Sequence, residues 1–269
     1  METADPDPVW ETIRAEVAED TQKEPLLASF LYAVVLNHHT LDDALSFQLA
    51  AKLGSSTLTE VSLRDLIDAA FTGDPTIGEA VRADIRAVRT RDPACRQYCT
   101  PLLHFKGFHA IQAHRVAHYY WRQGREALAL FLQSRISEVF GVDIHPAACL
   151  GRGLLMDHAT GVVIGETSIV GDDVSLLHHV TLGGTGKTVG DRHPKVGNGV
   201  LISVGASVLG NVHIGEGAKV AAHAVVLTDV PPHMTVAGVP ARIIGHPKSE
   251  QPALEMDHHI EAASDDGSL

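Results

Sequence analysis

Cysteine is scarce in this chain. The 269 residues hold three, Cys95, Cys99 and Cys149, an odd set without zinc-ligand spacing, which argues against a disulfide framework and suits a reducing compartment. Long apolar runs are also missing: nowhere do about 18 consecutive apolar residues suggest a membrane span. The opening METADPDP is acidic and has no apolar core segment, so no secretory signal is expected and the cytoplasm is the expected compartment. Positive charge is in deficit, with 21 Lys and Arg against 33 Asp and Glu and a net charge of -12; the basic stretches are short, so no nucleic-acid footprint is expected. Histidine is plentiful, but the pairs His38-His39, His178-His179 and His258-His259 are adjacent, and neighbouring side chains seldom converge on one metal.

What the chain does have is a period. Val196, Ile202, Val208, Ile214, Val220 and Val226 recur every sixth position, a spacing that neither a helix nor an ordinary sheet produces. Strict six-residue recurrence marks a hexapeptide β-helix, in which each hexad forms one flat face of a triangular coil and its aliphatic residue points to the axis. Upstream the beat runs through Ile144, Leu150, Met156 and Val162, slips by two residues, and resumes at Ile164, Val170, Leu176 and Leu182. A second inward position follows at Val200, Ala206, Val212, Ala218, Ala224 and Val230.

Residues from about 8 to 140 read instead as helices. Val9, Ile13 and Val17 recur at four-residue spacing, and Leu41, Ala44, Leu45, Gln48 and Leu49 mark a second one-faced segment with Asp42 and Asp43 near its start. Further helices are predicted near 60 to 70, 78 to 90, 107 to 122 and 125 to 140, with Gly124 between the last two. The expected class is α+β: an all-helical assembly domain over 1–140, a left-handed parallel β-helix carrying the chemistry over 141–245, and a polar, flexible tail over 246–269.

From Leu182 to Val196 the repeat gains eight residues beyond one hexad, which a closed coil must expel as a loop. That loop, GGTGKTVGDRHPK, carries Lys187, Arg192, His193 and Lys195. It is not a nucleotide phosphate loop, because the required first glycine is Thr181 and no helix follows. A γ-class carbonic anhydrase would place a third histidine at 198, which is asparagine.

DIHPAA at 143–148, MDHATG at 156–161 and GDRHPK at 190–195 form a narrower constellation. With AVRTRDPA at 87–94, LLHFKGFHAIQAHR at 102–115 and AGVPAR at 237–242, the chain resembles the serine O-acetyltransferases, hexapeptide enzymes that acetylate L-serine from acetyl-CoA on the route to cysteine. The resemblance implies His158 as general base and Asp143 as its orienting carboxylate. It implies Asp92 and Asp157 facing the serine ammonium, and Arg192 with His193 facing its carboxylate. Each assignment makes chemical sense: an alcohol attacking a thioester needs a base that titrates near neutrality, and charged substrate ends need opposite charges. The lesser alternative for Asp92, in RDP, is a turn or helix-ending residue, and for Asp157 a coil-corner hydrogen bond; neither excludes the substrate role.

By analogy with related acyltransferases, Gly184, Thr185, Ser203, Gly205 and Ala222 line an acetyl-CoA groove and Lys219 and Arg242 meet phosphate; Lys219 reads equally well as a solvated lysine. Valine stands at 204 where the family pattern has alanine, which predicts a slightly tighter groove. No metal is expected. The resemblance further implies a homohexamer built as a dimer of trimers, inhibition by L-cysteine, and docking of the C-terminal tail, here ending in Leu269, on O-acetylserine sulfhydrylase. The rival readings are an acetyltransferase for another hydroxyl acceptor, a metal-dependent hydratase, and a non-enzymatic scaffold.

Overall fold

The computed structural model describes residues 7–186 and 189–260. Eight helices come first: α1 (Pro8–Lys23), α2 (Ala28–Leu31), α3 (Leu41–Leu53), α4 (Glu60–Gly73), α5 (Thr76–Arg91), α6 (Cys99–His104), α7 (Lys106–Arg122) and α8 (Glu126–Phe140). Side chains cap several of the starts: Asp7 accepts from Val9 and Trp10, Thr40 from Asp43, and Thr59 from Ser62. Gly124, at φ +73°, turns the chain between α7 and α8, and Gly141, at φ +67°, ends α8 immediately before the first strand.

The chain then winds as a parallel β-helix of two- to five-residue strands. Its first face stacks β1 (Val142–Ile144), β4 (Val162–Ile164), β7 (Thr181–Gly183), β10 (Ser207–Leu209) and β13 (Val225–Val226). The second face stacks β2 (Cys149–Leu150), β5 (Ile169–Val170), β8 (Lys195–Val196) and β11 (His213–Ile214). The third stacks β3 (Leu155–Met156), β6 (Ser175–Leu176), β9 (Leu201–Ile202), β12 (Lys219–Val220) and β14 (Thr235–Gly238), and β15 (Ala241–Gly245) closes it by pairing antiparallel. The axial column Ile144, Ile164, Leu182, Val208, Val226 is at most 2% exposed, as the six-residue beat requires.

Register explains the irregularities of the repeat. Ile164 pairs Leu182, an ordinary three-hexad coil, whereas Ile144 pairs Ile164 across a coil two residues longer, which is the slip seen in the sequence. Val170 pairs Val196, so the eight extra residues leave the prism between the first and second faces. Corners between the third and first faces need left-handed backbone, and there Gly161, His179, Gly205 and His223 alternate at φ +73°, +58°, +69° and +56°. A Cβ on Gly161 or Gly205 would overlap the histidine ring of the next coil, so small and large residues alternate along the edge.

Helices and prism are joined by a buried polar knot. Asp84 of α5 is fully buried; its Oδ2 accepts from Arg115 Nη2 at 2.7 Å and Gln112 Nε2 at 2.8 Å on α7, and its Oδ1 accepts from the Leu154 backbone at 2.8 Å. Arg115 also donates to the carbonyl of Gly151. Charge burial on this scale is tolerated only because every polar atom has a partner.

Past β15 the chain returns along the third face. Residues 252–255 form the short helix α9 (Pro252–Glu255), with Pro252 and Ala253 buried and Ser175 Oγ donating to the Ala253 carbonyl at 2.9 Å. Composition alone predicts a loose tail here; these contacts are made by backbone carbonyls and by a few small or apolar side chains, which leave no compositional signature. Residues 261–269, including Leu269, lie outside the described residues, as do Lys187 and Thr188.

Candidate active site

α7 approaches β3 so closely that a Cβ on Gly107 would overlap the Met156 carbonyl, and this contact sets the start of α7 over the corner that follows β3. On that corner sits His158, with φ +56° and a side chain 74% exposed. Its Nε2 stands 3.7 Å from Asp157 Oδ2, and its ring meets His178 edge-on at 5.6 Å. Asp92 ends α5, its Oδ1 accepting from Ala94 N at 2.8 Å. Asp92, Asp157 and His158 line one cavity of about 370 Å³ together with Lys106, Phe105 and Met156. Lys106, whose ammonium bonds Thr160 Oγ1, has no assigned role in the sequence reading, although it lies within the LLHFKGFHAIQAHR segment.

Asp143 stands elsewhere on the first face. Its Oδ1 accepts from Gln133 Nε2 of α8 at 2.7 Å, and among the described residues no ion pair joins it to His158. Asp157 is the carboxylate in direct reach of the imidazole in this conformation.

Arg192 and His193 occupy a different edge. They precede β8, at the corner leaving the first face, whereas His158 sits at the corner entering it. His193 is 7% exposed, and the backbone N–H of Thr167 donates to its Nδ1 at 3.2 Å. The neutral ring therefore carries its proton on Nε2, as a donor. Burial, then the neighbouring Arg192, push its pKa down and hold it in that neutral form. Arg192 Nη2 donates to Glu166 Oε2 at 2.6 Å, and this bond keeps the Glu166 carboxyl below its ordinary range.

The predicted cofactor residues divide in the same way. Gly184 and Thr185 begin the expelled loop beside Arg192, and Gly210, at φ +98°, lies against the Thr185 side chain. Ser203, Gly205, Lys219 and Ala222 belong to the third face and its far edge, and Arg242 lies exposed on β15. Lys219 is not solvated: it is 3% exposed, its Nζ donates to the His259 carbonyl at 2.6 Å, and burial lowers its pKa. Ser203 Oγ bonds His258 Nδ1 at 2.9 Å. Both side chains are thus engaged by the chain's own returning segment. Among the described residues no three His, Cys, Asp or Glu gather to hold a metal ion, and no helix is long and apolar enough to cross a membrane.

Comparison with known proteins places this geometry in a family. The profile "Serine acetyltransferase, N-terminal" matches residues 9–113, and the hexapeptide-repeat profile of bacterial transferases matches 193–228. The serine acetyltransferase of Escherichia coli K12 is 54% identical over 252 residues, 94% of this chain and 92% of that protein. A serine acetyltransferase solved in complex with cysteine superposes with a TM-score of 0.92 at 52% identity, covering 94% of this chain and 98% of the other. The Brucella abortus enzyme solved with coenzyme A gives 0.88 at 52%, covering 90% and 96%, and the soybean enzyme complexed with serine gives 0.86 at 60%, covering 88% and 97%. By identity across nearly its whole length, by its helical half and by its hexapeptide prism, this chain belongs to the serine acetyltransferase family.

Proposed function

We propose that the chain transfers the acetyl group of acetyl-CoA to the hydroxyl of L-serine, giving O-acetyl-L-serine and CoA, with His158 as general base. The observation that carries the assignment is the cavity in which an exposed imidazole stands beside Asp157 and whose wall also holds Asp92. Two carboxylates there suit a substrate ammonium, and an imidazole suits the hydroxyl proton. In the proposed step His158 takes that proton as the oxygen attacks the thioester carbonyl. Backbone N–H groups near Gly184 stabilise the oxyanion, and the CoA thiolate leaves and regains a proton from His158. Asp143 enters the proposal as an orienting carboxylate reached by rotation of the exposed His158 ring. No metal and no acetyl-enzyme is required. Acetyl-CoA would displace the returning segment from Ser203 and Lys219 to use those side chains.

His193 and Arg192 read the serine carboxylate in this scheme. Because they lie at the opposite edge of the first face from His158, the proposal places each site between neighbouring prisms of a trimer. Leu26, Leu27, Phe30 and Tyr32 of the helical half are exposed, by 93%, 46%, 37% and 50%, and support pairing of two trimers into a hexamer. L-Cysteine shares serine's ammonium and carboxylate, so serine-competitive feedback inhibition follows, in a cytoplasmic first step from serine towards cysteine. The C-terminal tail would dock on O-acetylserine sulfhydrylase. Thiol release from acetyl-CoA, followed with and without L-serine, tests the activity. His158→Ala should cut turnover by roughly 10²–10⁴-fold with the fold retained; near-normal release would remove His158 from the mechanism.

A further inference from the structure

A second cavity, of about 350 Å³, opens on the other side of the junction between helices and prism. α5 and α7 border both cavities, but with different turns: Lys106 and Gly107 start α7 at the substrate pocket, while His118 and Arg122 face this second space. Its arginines make only long ion pairs, while Asp74 Oδ1 accepts from the Thr76 backbone and hydroxyl and Asp172 Oδ1 from the Arg152 backbone N–H. Arg122 Nη1 is 3.9 Å from Asp74 Oδ2, and Arg152 is 3.8 Å from Glu79 and 3.9 Å from Asp172, all beyond hydrogen-bond length. Arg115, by contrast, is fully committed to Asp84, Gln112 and the carbonyls of Leu150 and Gly151.

Two imidazoles add lone pairs. His118 Nδ1 lies 2.8 Å from the Pro146 carbonyl, which can only accept, so the proton is on Nδ1 and Nε2 is a free acceptor. His114 bonds the Ala148 carbonyl through Nε2 in the same sense, and its buried Nδ1 has no partner. With Arg115 balanced by Asp84, two guanidiniums face three carboxylates. That balance repels a simple anion such as phosphate. It accommodates a molecule that brings a carboxylate to the arginines and N–H donors to the imidazole and the acids.

We propose that this cavity binds a small zwitterion of the α-amino-acid type, its carboxylate on Arg122 and Arg152 and its ammonium towards His118 Nε2 and Asp74. The site is separate from the substrate pocket and shares no lining residue with it.

Calorimetric titration of the full-length protein with each of the twenty common L-amino acids tests this, alongside acetate, ethylamine and inorganic phosphate. At least one amino acid should bind the wild type in an event that Arg122→Ala/Arg152→Ala weakens at least tenfold, while L-serine-dependent turnover is kept. Acetate and ethylamine should bind at least tenfold more weakly than that amino acid. Both arginine side chains are more than half exposed, so the fold should survive; the single variant Arg122→Gln serves if the double one does not fold. Binding of every amino acid that is indifferent to these substitutions, absence of any such event, or phosphate binding as tightly as the best amino acid would each overturn the proposal.

Discussion

His109 and His114 are 1% exposed on α7, and burial pushes their pKa values down to about 4 and about 3. Each donates through Nε2 to a carbonyl, of Leu102 and Ala148, so the folded state is built around neutral rings. The sign follows: between about pH 6.5 and 4 the unfolded chain binds more protons than the folded one, so the stability is complete above that window and is lost as pH falls through it. The slope is about 1.4 kcal/mol per pH unit for each such histidine. Urea midpoints should therefore drop from pH 6.5 to pH 5, before most carboxylates titrate, and drop less in His114→Leu; a flat profile would show that neither ring is held neutral. At this scale the sequence was informative where chemistry is contiguous. Asp157 and His158 stand together inside one hexapeptide motif and Asp92 stands in RDP, and the fold brings these three to one cavity. Asp84 and Arg115 carry no such signal, since a charged residue on an amphipathic helix looks the same whether it faces solvent or a second domain. Lys219 shows the same blindness, because burial by a returning segment is a tertiary fact.

The elements of the prism were legible because each strand is too short to depend on anything but its own hexad. One aliphatic residue points inward, one small residue follows, and the corner needs backbone that glycine supplies without strain. The expelled loop was legible as arithmetic, and the register of Val170 with Val196 matches it. Less visible was the alternation of histidine with glycine at the corner, because the two partners lie a coil apart in sequence. It has a measurable consequence. Gly205→Ala forces a Cβ into the ring of His223 and into a left-handed residue, and should cost about 1–3 kcal/mol. His223→Gly removes the ring and the left-handed penalty together, and should leave the melting temperature close to that of the parent or above it. Equal melting temperatures for Gly205→Ala and the parent would show that the edge can relax. The helices were legible where apolar residues repeat, as in α3, α5 and α8. α6 and the segment around α2 were missed, since four to six residues carry too little periodicity to separate from a loop.

For the whole molecule, the question is how a prism with flat faces encloses a serine. One chain presents Asp157 and His158 at the corner that enters the first face, with Asp92 at the end of α5 lining the same cavity, and Arg192 with His193 at the corner that leaves it. The strands of that face stand between them, so with the roles proposed above a single chain would not bring its ammonium and carboxylate partners together on one serine. A neighbouring prism, packed corner to corner around a threefold axis, would bring the second set beside the first. Sequence alone leaves open which copy would supply the other half of a cleft, because distance along a coil carries no information about neighbouring copies. Subunit mixing decides it. His158→Ala and His193→Ala should each be nearly inactive at low L-serine. When the two variants are unfolded together and refolded as mixed trimers, some clefts receive His158 from one parent and His193 from the other, and activity should return. Tagging the two variants differently verifies that mixed assemblies have formed. If verified mixtures stay as inactive as their parents, both residues act from the same chain, and the separation across the first face must close by a movement within one prism.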